Sequence, residues 1–273
     1  VVQVSNAGIE LLLEALLAAI NELLPELNIL LKNDGKMRAI EGLDEYVRVA
    51  QGDVPKLVPL KENGVSFLVP VWDGQKTGWF YDHRLNRRRV QKLSAGKRVL
   101  DIFSYIGGWG IQAAAAGAKE VVCVDASASA LDLVHQQAQL NGVADKVHSL
   151  KGDAFAAMKQ LHEDGERFDM VIIDPPAFIA RRKDIKAGEL AYQRANQLAM
   201  RLLTPEGILV SASCSMHLER TRLTQLLQEA CRKNGRNGQV LEQGGQGGDH
   251  PIHPAIPETD YLKSVILRTW YED

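Results

Sequence analysis

Residues Val99 to Gly110 read V-L-D-I-F-S-Y-I-G-G-W-G, and Val171 to Pro176 read V-I-I-D-P-P. Each is an apolar run closed by a carboxylate. The first passes into a glycine-rich turn, the second into two prolines. Short apolar runs bounded by turn residues are the mark of strands buried on both faces. From Arg98 onward strands are expected over Arg98–Phe103, Glu120–Asp125, Lys146–Leu150, Phe168–Asp174 and Gly207–Cys214. Helical segments lie between them, over Gly110–Ala116, Ala128–Asn141, Ala154–His162 and Glu189–Leu203. Such alternation implies a parallel sheet covered on both faces. A helix over Leu218–Lys233, a glycine-rich loop over Gly235–Gly248 and strand-like runs at Gln239–Gln243 and Tyr261–Trp270 finish the chain.

The first 72 residues follow a different plan. A helix is expected from about Ala7 to Leu24, stopping near Pro25, and β-like runs follow at Asn28–Lys32, Tyr46–Ala50 and Val65–Val71. Turn residues at Asp73, Gly74 and Gly78 suggest a boundary. The expected architecture is α/β: a small α+β domain over residues 1–75, then a larger domain over residues 76–273 with a Rossmann-like, mostly parallel seven-stranded sheet. Leu11 to Leu24 is interrupted by Glu14, Asn21 and Glu22. It reads as an amphipathic helix packed on its own domain, not a membrane span. The net charge of −2 gives no global positive field, so any nucleic-acid patch must be local. Three irregularly spaced cysteines argue against a disulfide framework and for a reducing, cytoplasmic setting.

Open parallel sheets bind ligands beyond the carboxyl ends of their strands. Three of these strands end in acids: Asp101, then Asp125, then Asp153 in Gly152-Asp153-Ala154. One such aspartate alone is more simply a helix cap or turn residue. Three in succession favour a ligand. Asp101 stands where the amino group of a methionine moiety needs a carboxylate. Asp125 suits two ribose hydroxyls, and Asp153 an adenine amino group beside the Ala154 N–H. Glycines 107, 108 and 110 let backbone approach closely. Gly108, Gly110 and Ala113 also fit a dinucleotide pattern. However, the turn begins several residues past the strand, and Asp101 would repel a pyrophosphate. S-adenosylmethionine is therefore the expected cofactor. The expected contacts are Asp101, Phe103, Ser104, Tyr105, Gly107, Gly108, Asp125, Ala126, Ser127, Asp153, Ala154 and Asp174.

Asp174-Pro175-Pro176 offers a rigid edge of carbonyls and one carboxylate to a flat polar substrate such as a nucleobase. Cys214 closes the fifth strand on the same rim, between Ser213 and Ser215, whose hydroxyls suggest a polar rim. Cysteine there has a bland reading as a small apolar residue. Its chemical reading is a nucleophile, provided neighbours activate the thiolate. A thiolate that attacks carbon 6 of cytosine makes carbon 5 enamine-like and able to take a methyl. Asp174, protonated or through its neighbours, could then hydrogen-bond ring nitrogen 3. Cys123 and Cys231 read as structural.

Taken together, the chain resembles the bacterial methyltransferases that make 5-methylcytosine in 23S ribosomal RNA. The resemblance rests on Lys76–Arg84, Phe103–Gly108, Asp174–Phe178, Ser213–Ser215, Asp249–Pro251, Pro257-Glu258 and Tyr261–Lys263. It implies an S-adenosylmethionine cofactor, with Cys214 as nucleophile and Asp82 and Arg84 near the cofactor or the site entrance. Members usually carry an N-terminal RNA-binding PUA domain. None is present in these residues, and residues 1 to about 75 resemble the family's central domain. His83 stands where glutamine is more frequent, and Ala177 where lysine is. A related family that methylates guanine nitrogen 7 has asparagine where Cys214 stands.

Two basic runs stand out; a charge run is usually a solvated helix face, but the second follows the Asp174-Pro-Pro edge directly and can reach RNA phosphates. One is Arg84, Arg87, Arg88, Arg89 and Lys92. The other is Arg181, Arg182, Lys183 and Lys186, just past Phe178. Pro175, Pro176, Phe178, Arg181, Arg182 and Lys183 are the expected substrate contacts. Phe178 is an even choice between base stacking and core packing. Asp249, His250 and His253 read as a site-lining loop ordered by Tyr261 and Lys263, without metal. The leading expectation is methylation of cytosine carbon 5 in large-subunit ribosomal RNA. Methylation of an RNA base nitrogen and a non-catalytic RNA-binding module are the alternatives. No membrane is involved, and the oligomeric state, a homodimer included, is left open.

Overall fold

The computed structural model describes residues 1–271. Val1–Leu60 with Leu68–Phe80 form one compact unit, and Lys61–Phe67 with the chain from Tyr81 onward form the other.

In the first unit the single helix expected from Ala7 to Leu24 is two. α1 (Ala7–Leu11) and α2 (Leu13–Leu23) are interrupted at Leu12. Asn6 caps α1 by accepting from the Gly8 and Ile9 N–H groups. β1 (Ile29–Asn33), α3 (Met37–Ile40) and β2 (Tyr46–Gln51) follow, with β1 and β2 antiparallel. Val4, Leu13, Ile29 and Leu31 are the core of this unit. β3 (Leu57–Glu62) pairs with β4 (Val65–Pro70). The sequence reading did not foresee β3. Asn63-Gly64, with φ of 52° and 85°, is the two-residue turn that joins them.

The second unit begins with α4 (Arg84–Ser94), where only a basic run was read. Its inward face is Asn86, Arg87, Val90 and Ser94, mostly polar, so no apolar stripe announced a helix. The alternation then runs as expected: β5 (Arg98–Ile102), α5 (Gly110–Ala115), β6 (Glu120–Asp125), α6 (Ala128–Leu140), β7 (Val147–Lys151), α7 (Ala154–Glu163) and β8 (Phe168–Ile173). After it come α8 (Ile185–Arg201), β9 (Leu203–Ser213), α9 (Arg220–Lys233), β10 (Arg236–Gly244) and β11 (Lys263–Tyr271). β10 claims much of the expected glycine-rich loop, because Gly238 and Gly244 are ordinary strand positions paired with β11.

The seven strands lie in the order β10-β11-β9-β8-β5-β6-β7. β9, β8, β5, β6 and β7 are mutually parallel, and β11 enters antiparallel between β9 and β10. The chain winds outward from β5 in one direction and returns through β8 in the other. The switch point therefore lies between β5 and β8, at the ends carrying Asp101 and Asp174. Leu100, Ile102, Val171, Ile173 and Leu209 are fully buried in the core, as strands covered on both faces must be.

Behind the switch point sits an inward-facing charge pair. Arg87 donates through Nε and Nη2 to the two Glu62 oxygens, at 2.6 and 3.0 Å, and Gln112 adds a third donor at 2.8 Å. Both charges are buried. Removing one partner of such a pair strands the other in low dielectric. Glu62→Ala is expected to cost about 3–5 kcal/mol, measured as a lower urea midpoint at unchanged slope.

Candidate active site

At the end of β5 the Asp101 carboxylate is fully buried. Its Oδ2 accepts from the Gly110 N–H at 2.8 Å. Its Oδ1 has no hydrogen-bond partner among the described residues. Gly110 must be glycine for this contact, since a Cβ there would lie 2.7 Å from the Cys123 sulfur. Burial pushes the Asp101 pKa up to about 8. The Gly110 N–H opposes that shift, and the nearby Asp174 and Asp125 add to it. A buried carboxylate with one oxygen unengaged and a raised pKa is a site that a cation would stabilise. The ammonium of S-adenosylmethionine fits it.

The turn after β5 is wound tightly. Phe103, Tyr105 and Gly107 all have left-handed φ, at 65°, 50° and 83°. The two non-glycine residues cost about 1–3 kcal/mol each. Neighbouring strands hold the turn. Ser104 N–H donates to the Val124 carbonyl at 3.0 Å, and Tyr105 N–H to Asp125 Oδ2 at 2.8 Å. Asp125 Oδ1 accepts from the Ser127 N–H, and Asp153 caps α7 by accepting from the Ala156 N–H. Both acids thus perform the turn and cap roles weighed against a ligand role. Each carboxylate oxygen keeps spare acceptor capacity. Gly108 and Ala154 are buried, and Ala126 and Ser127 are exposed.

At the end of β8, the Asp174 side chain is 19% exposed. Its Oδ1 lies 3.3 Å from His83 Nε2, and its Oδ2 accepts from the Trp109 indole N–H at 3.0 Å. The His83 and Trp109 rings are 5.0 Å apart. Burial would raise the Asp174 pKa, but His83, the Trp109 N–H and Arg87 together hold it below the ordinary carboxylate value. Asp174 is therefore an acceptor at neutral pH. Of the two expected routes from Asp174 to ring nitrogen 3, in protonated form or through its neighbours, the lowered pKa speaks against the first. Pro175 is buried and Pro176 exposed. The Phe178 ring packs 4.9 Å from Tyr192, 6.2 Å from Phe155 and 6.3 Å from Phe103, which is core packing. Arg181, Arg182 and Lys183 are exposed, with Arg181 paired to Asp184.

Cys214 follows β9 directly, on the same rim, and is half-buried. Its serine neighbours are not rim donors, contrary to expectation. Ser213 Oγ donates to the Tyr192 hydroxyl at 2.8 Å, which lies 2.9 Å from Ser215 Oγ. Ser215 Oγ in turn accepts from the Ile179 N–H. These bonds lock the turn around the sulfur. β11 supplies the other clamp. Lys263 pairs with Ser213 in the sheet, and its Nζ donates to the Ser215 carbonyl at 2.6 Å and the Tyr261 carbonyl at 2.9 Å. Burial lowers the Lys263 pKa to about 8. Asp260 and Cys214 oppose that shift, and Arg220 adds to it. Tyr261 donates to Asp82 Oδ2 at 2.8 Å. Arg84 reaches Asp249 at 3.2 Å. Cys123 and Cys231 are buried, and burial raises both thiol pKa values. Among the described residues no cluster of three metal-ligating side chains occurs, and no helix is long and apolar enough to cross a membrane.

Sequence reasoning missed three residues as members of this site. Trp109 carried a signal: an indole inside a glycine turn can only donate, and a carboxylate faces it. His83 was noticed only as a departure from the family. Tyr192, one polar group within a helix, gave none.

A seven-stranded, mostly parallel sheet with this turn at its switch point defines a Rossmann-like methyltransferase. The profile of the S-adenosylmethionine-dependent methyltransferase family matches residues 44–251, and the chain belongs to that family. It is an enzyme, with S-adenosylmethionine as its cofactor. It is 40% identical to ribosomal RNA large subunit methyltransferase I of Aeromonas salmonicida, over 98% of this chain and 68% of that protein. It is 36% identical to the protein of that name from Erwinia tasmaniensis, over the same shares. The resemblance read from the motifs is thereby borne out. In fold the chain is similar to a SAM-dependent methyltransferase from Streptococcus mutans, with TM-score 0.84 and 21% identity, covering 97% of this chain and 68% of that one. A methyltransferase structure complexed with SAH gives TM-score 0.84 at 22% identity, with the same coverage.

Asp101 also makes stability depend on pH. Its folded pKa of about 8 exceeds the ordinary 3.8. The folded state therefore holds the proton more tightly, and stability falls as pH rises from about 4 through 8. Asp101→Asn cannot titrate. Thermal melts without cofactor are expected to show the variant gaining about 1–3 kcal/mol on the wild type at pH 8.5 relative to pH 5.

Proposed function

We propose that this enzyme transfers a methyl group to carbon 5 of a cytosine in large-subunit ribosomal RNA, through a covalent bond between Cys214 and carbon 6. The reading rests first on the position of Cys214. Its sulfur-bearing turn adjoins β8, whose rim carries Asp174, and Lys263 is fastened to the carbonyl of the next residue. The names of the relatives supply the RNA. A cytoplasmic place of action follows from that substrate.

When bound, S-adenosylmethionine supplies an electrophilic methyl group. Asp101 would hold its ammonium, Asp125 its ribose hydroxyls, and Asp153 with the Ala154 N–H its adenine. The backbone from Phe103 through Ser104 and Tyr105 to Gly107 and Gly108 would lie along it. Ala126 and Ser127 would flank the ribose, and Arg84 would stand at the entrance. The Lys263 ammonium favours the Cys214 thiolate, as a cation beside a thiol does. Asp174 accepts from the cytosine amino group.

The thiolate bonds carbon 6, and the C5=C6 pair shifts to C4–C5 as ring nitrogen 3 takes up a proton. Carbon 5 would then take the methyl group, the broken bond's electron pair staying on the donor's sulfur, and nitrogen 3 returns to solvent the proton it drew from there. Finally carbon 5 gives its own hydrogen to solvent as a proton. That electron pair restores C5=C6, and the C–S pair returns to sulfur. Arg181, Arg182 and Lys183 would hold phosphates beside a base turned out of its stack, at a cost of a few kcal/mol.

Cys214→Ala is expected to bind S-adenosylmethionine within about threefold of wild type by calorimetry, yet lose at least ~10³-fold in turnover. Mass analysis of the RNA is expected to find the methyl on carbon 5. A methyl on nitrogen, or an active alanine variant, overturns the thiolate route. Replacing Arg181, Arg182 and Lys183 by alanine is expected to weaken RNA binding. It should also flatten the log affinity–log salt slope by about 0.7 per lost phosphate contact.

A further inference from the structure

The Asp174 carboxylate is flanked by two N–H groups, and one of them depends on a tautomer. His83 is buried, with its Nε2 aimed at Asp174 Oδ1, and its other ring nitrogen lies 3.2 Å from Asn86 Nδ2. The orientation of the Asn86 amide is fixed independently. Its Nδ2 donates to the Gly245 carbonyl at 3.0 Å, and its Oδ1 accepts from Arg89. The strand passing Gly244 comes so close that a Cβ there would lie 2.1 Å from Asn86 Oδ1. An amide held with its nitrogen toward the imidazole can only donate, so His83 Nδ1 must accept. The ring hydrogen then resides on Nε2, the nitrogen 3.3 Å from Asp174 Oδ1.

We propose that His83, with its tautomer locked by Asn86, is a positioning residue that keeps Asp174 fixed as an acceptor and so makes the enzyme select a base carrying an amino group. The proposal rests on the cytosine reading above.

Two features argue for it. With the Trp109 indole on the other oxygen, both Asp174 oxygens are tied from the protein side. The outward lone pairs remain, and the side chain is open enough to be reached. A carboxylate so held cannot turn or present an O–H. It rewards an exocyclic N–H and repels the carbonyl oxygen that uracil carries at the same ring position. Arg87 and Asp101 are the other charged groups facing Asp174.

The test compares two targets: RNA with cytidine at the modified position, and the same RNA with zebularine, which lacks only the amino group. The wild-type enzyme is expected to prefer cytidine in kcat/KM by at least ~10²-fold. His83→Ala is expected to reduce that ratio by about 10- to 100-fold. His83→Gln keeps an N–H donor and is expected to hold the ratio within about threefold. A purely structural role for His83 would lower both targets alike and leave the ratio unchanged, which would overturn the proposal. So would a glutamine variant as impaired in the ratio as the alanine one. Independently of any loss of folding, ¹⁵N spectra of the histidine rings at pH 7, assigned by the signal missing in His83→Gln, are expected to show a neutral Nε2–H tautomer. An Nδ1–H form or an imidazolium sinks the idea. A wild-type product methylated on nitrogen would refute the cytosine carbon 5 reading itself, whatever the His83 variants do.

Discussion

Two carboxylates at the ends of adjacent parallel strands set the terms for the rest of this protein. β5 and β8 pair in register, Asp101 beside Ile172 and Ile102 beside Ile173, so Asp101 and Asp174 share one poorly hydrated rim. Like charges so placed cannot both be comfortable, and the surroundings separate them. Asp101 receives one amide N–H and is driven toward its neutral form. Asp174 receives an indole, an imidazole and the field of Arg87, and stays ionised. Pairs of acids pushed apart in this way mark where a fold assigns different tasks to similar groups. Here one suits a cationic ligand and the other a hydrogen-bond donor.

The glycine turn makes the first task feasible. Three left-handed residues within five positions bend the backbone so that the Gly110 amide and the Tyr105 amide face acids on two different strands. Asp125 anchors the turn through the Tyr105 and Ser127 N–H groups. The strain at Phe103 and Tyr105 persists because β6 over-determines the turn through the Val124 carbonyl and Asp125. The thiol turn is built differently. It relies on hydroxyl-to-hydroxyl bonding through Tyr192, and on an amine that crosses from a strand of opposite direction.

Much of this was legible in the sequence wherever physics leaves a period or a breaker. Of the five parallel strands, β5, β6, β8 and β9 announced themselves as apolar runs closing near an Asp or Cys. The rim positions of Asp101, Asp174 and Cys214 followed from strand ends alone. What stayed hidden was written in polar residues facing inward. α4 turns Asn86 and Arg87 inward, so its periodicity was invisible. The serines beside Cys214 were read as rim donors because sequence cannot tell which way a hydroxyl points. Only Tyr192, twenty-two residues away, decides it. Phe178 had no preference on paper, and three neighbouring rings settled its packing.

The antiparallel insertion of β11 bears on how the molecule is made. The strand that carries Lys263 comes last among the described elements, yet it lies inside the sheet and not at its margin. A chain emerging from the ribosome can lay down β5 to β9 and wind the glycine turn long before that. Until Tyr261 and Lys263 arrive, the loop after β9 lacks its amine and Asp82 lacks its phenol. The order of synthesis thus supplies the thiol's surroundings only after β5 to β10 have been made. A partly made molecule would carry the glycine turn and its acids without the clamp on the Cys214 turn.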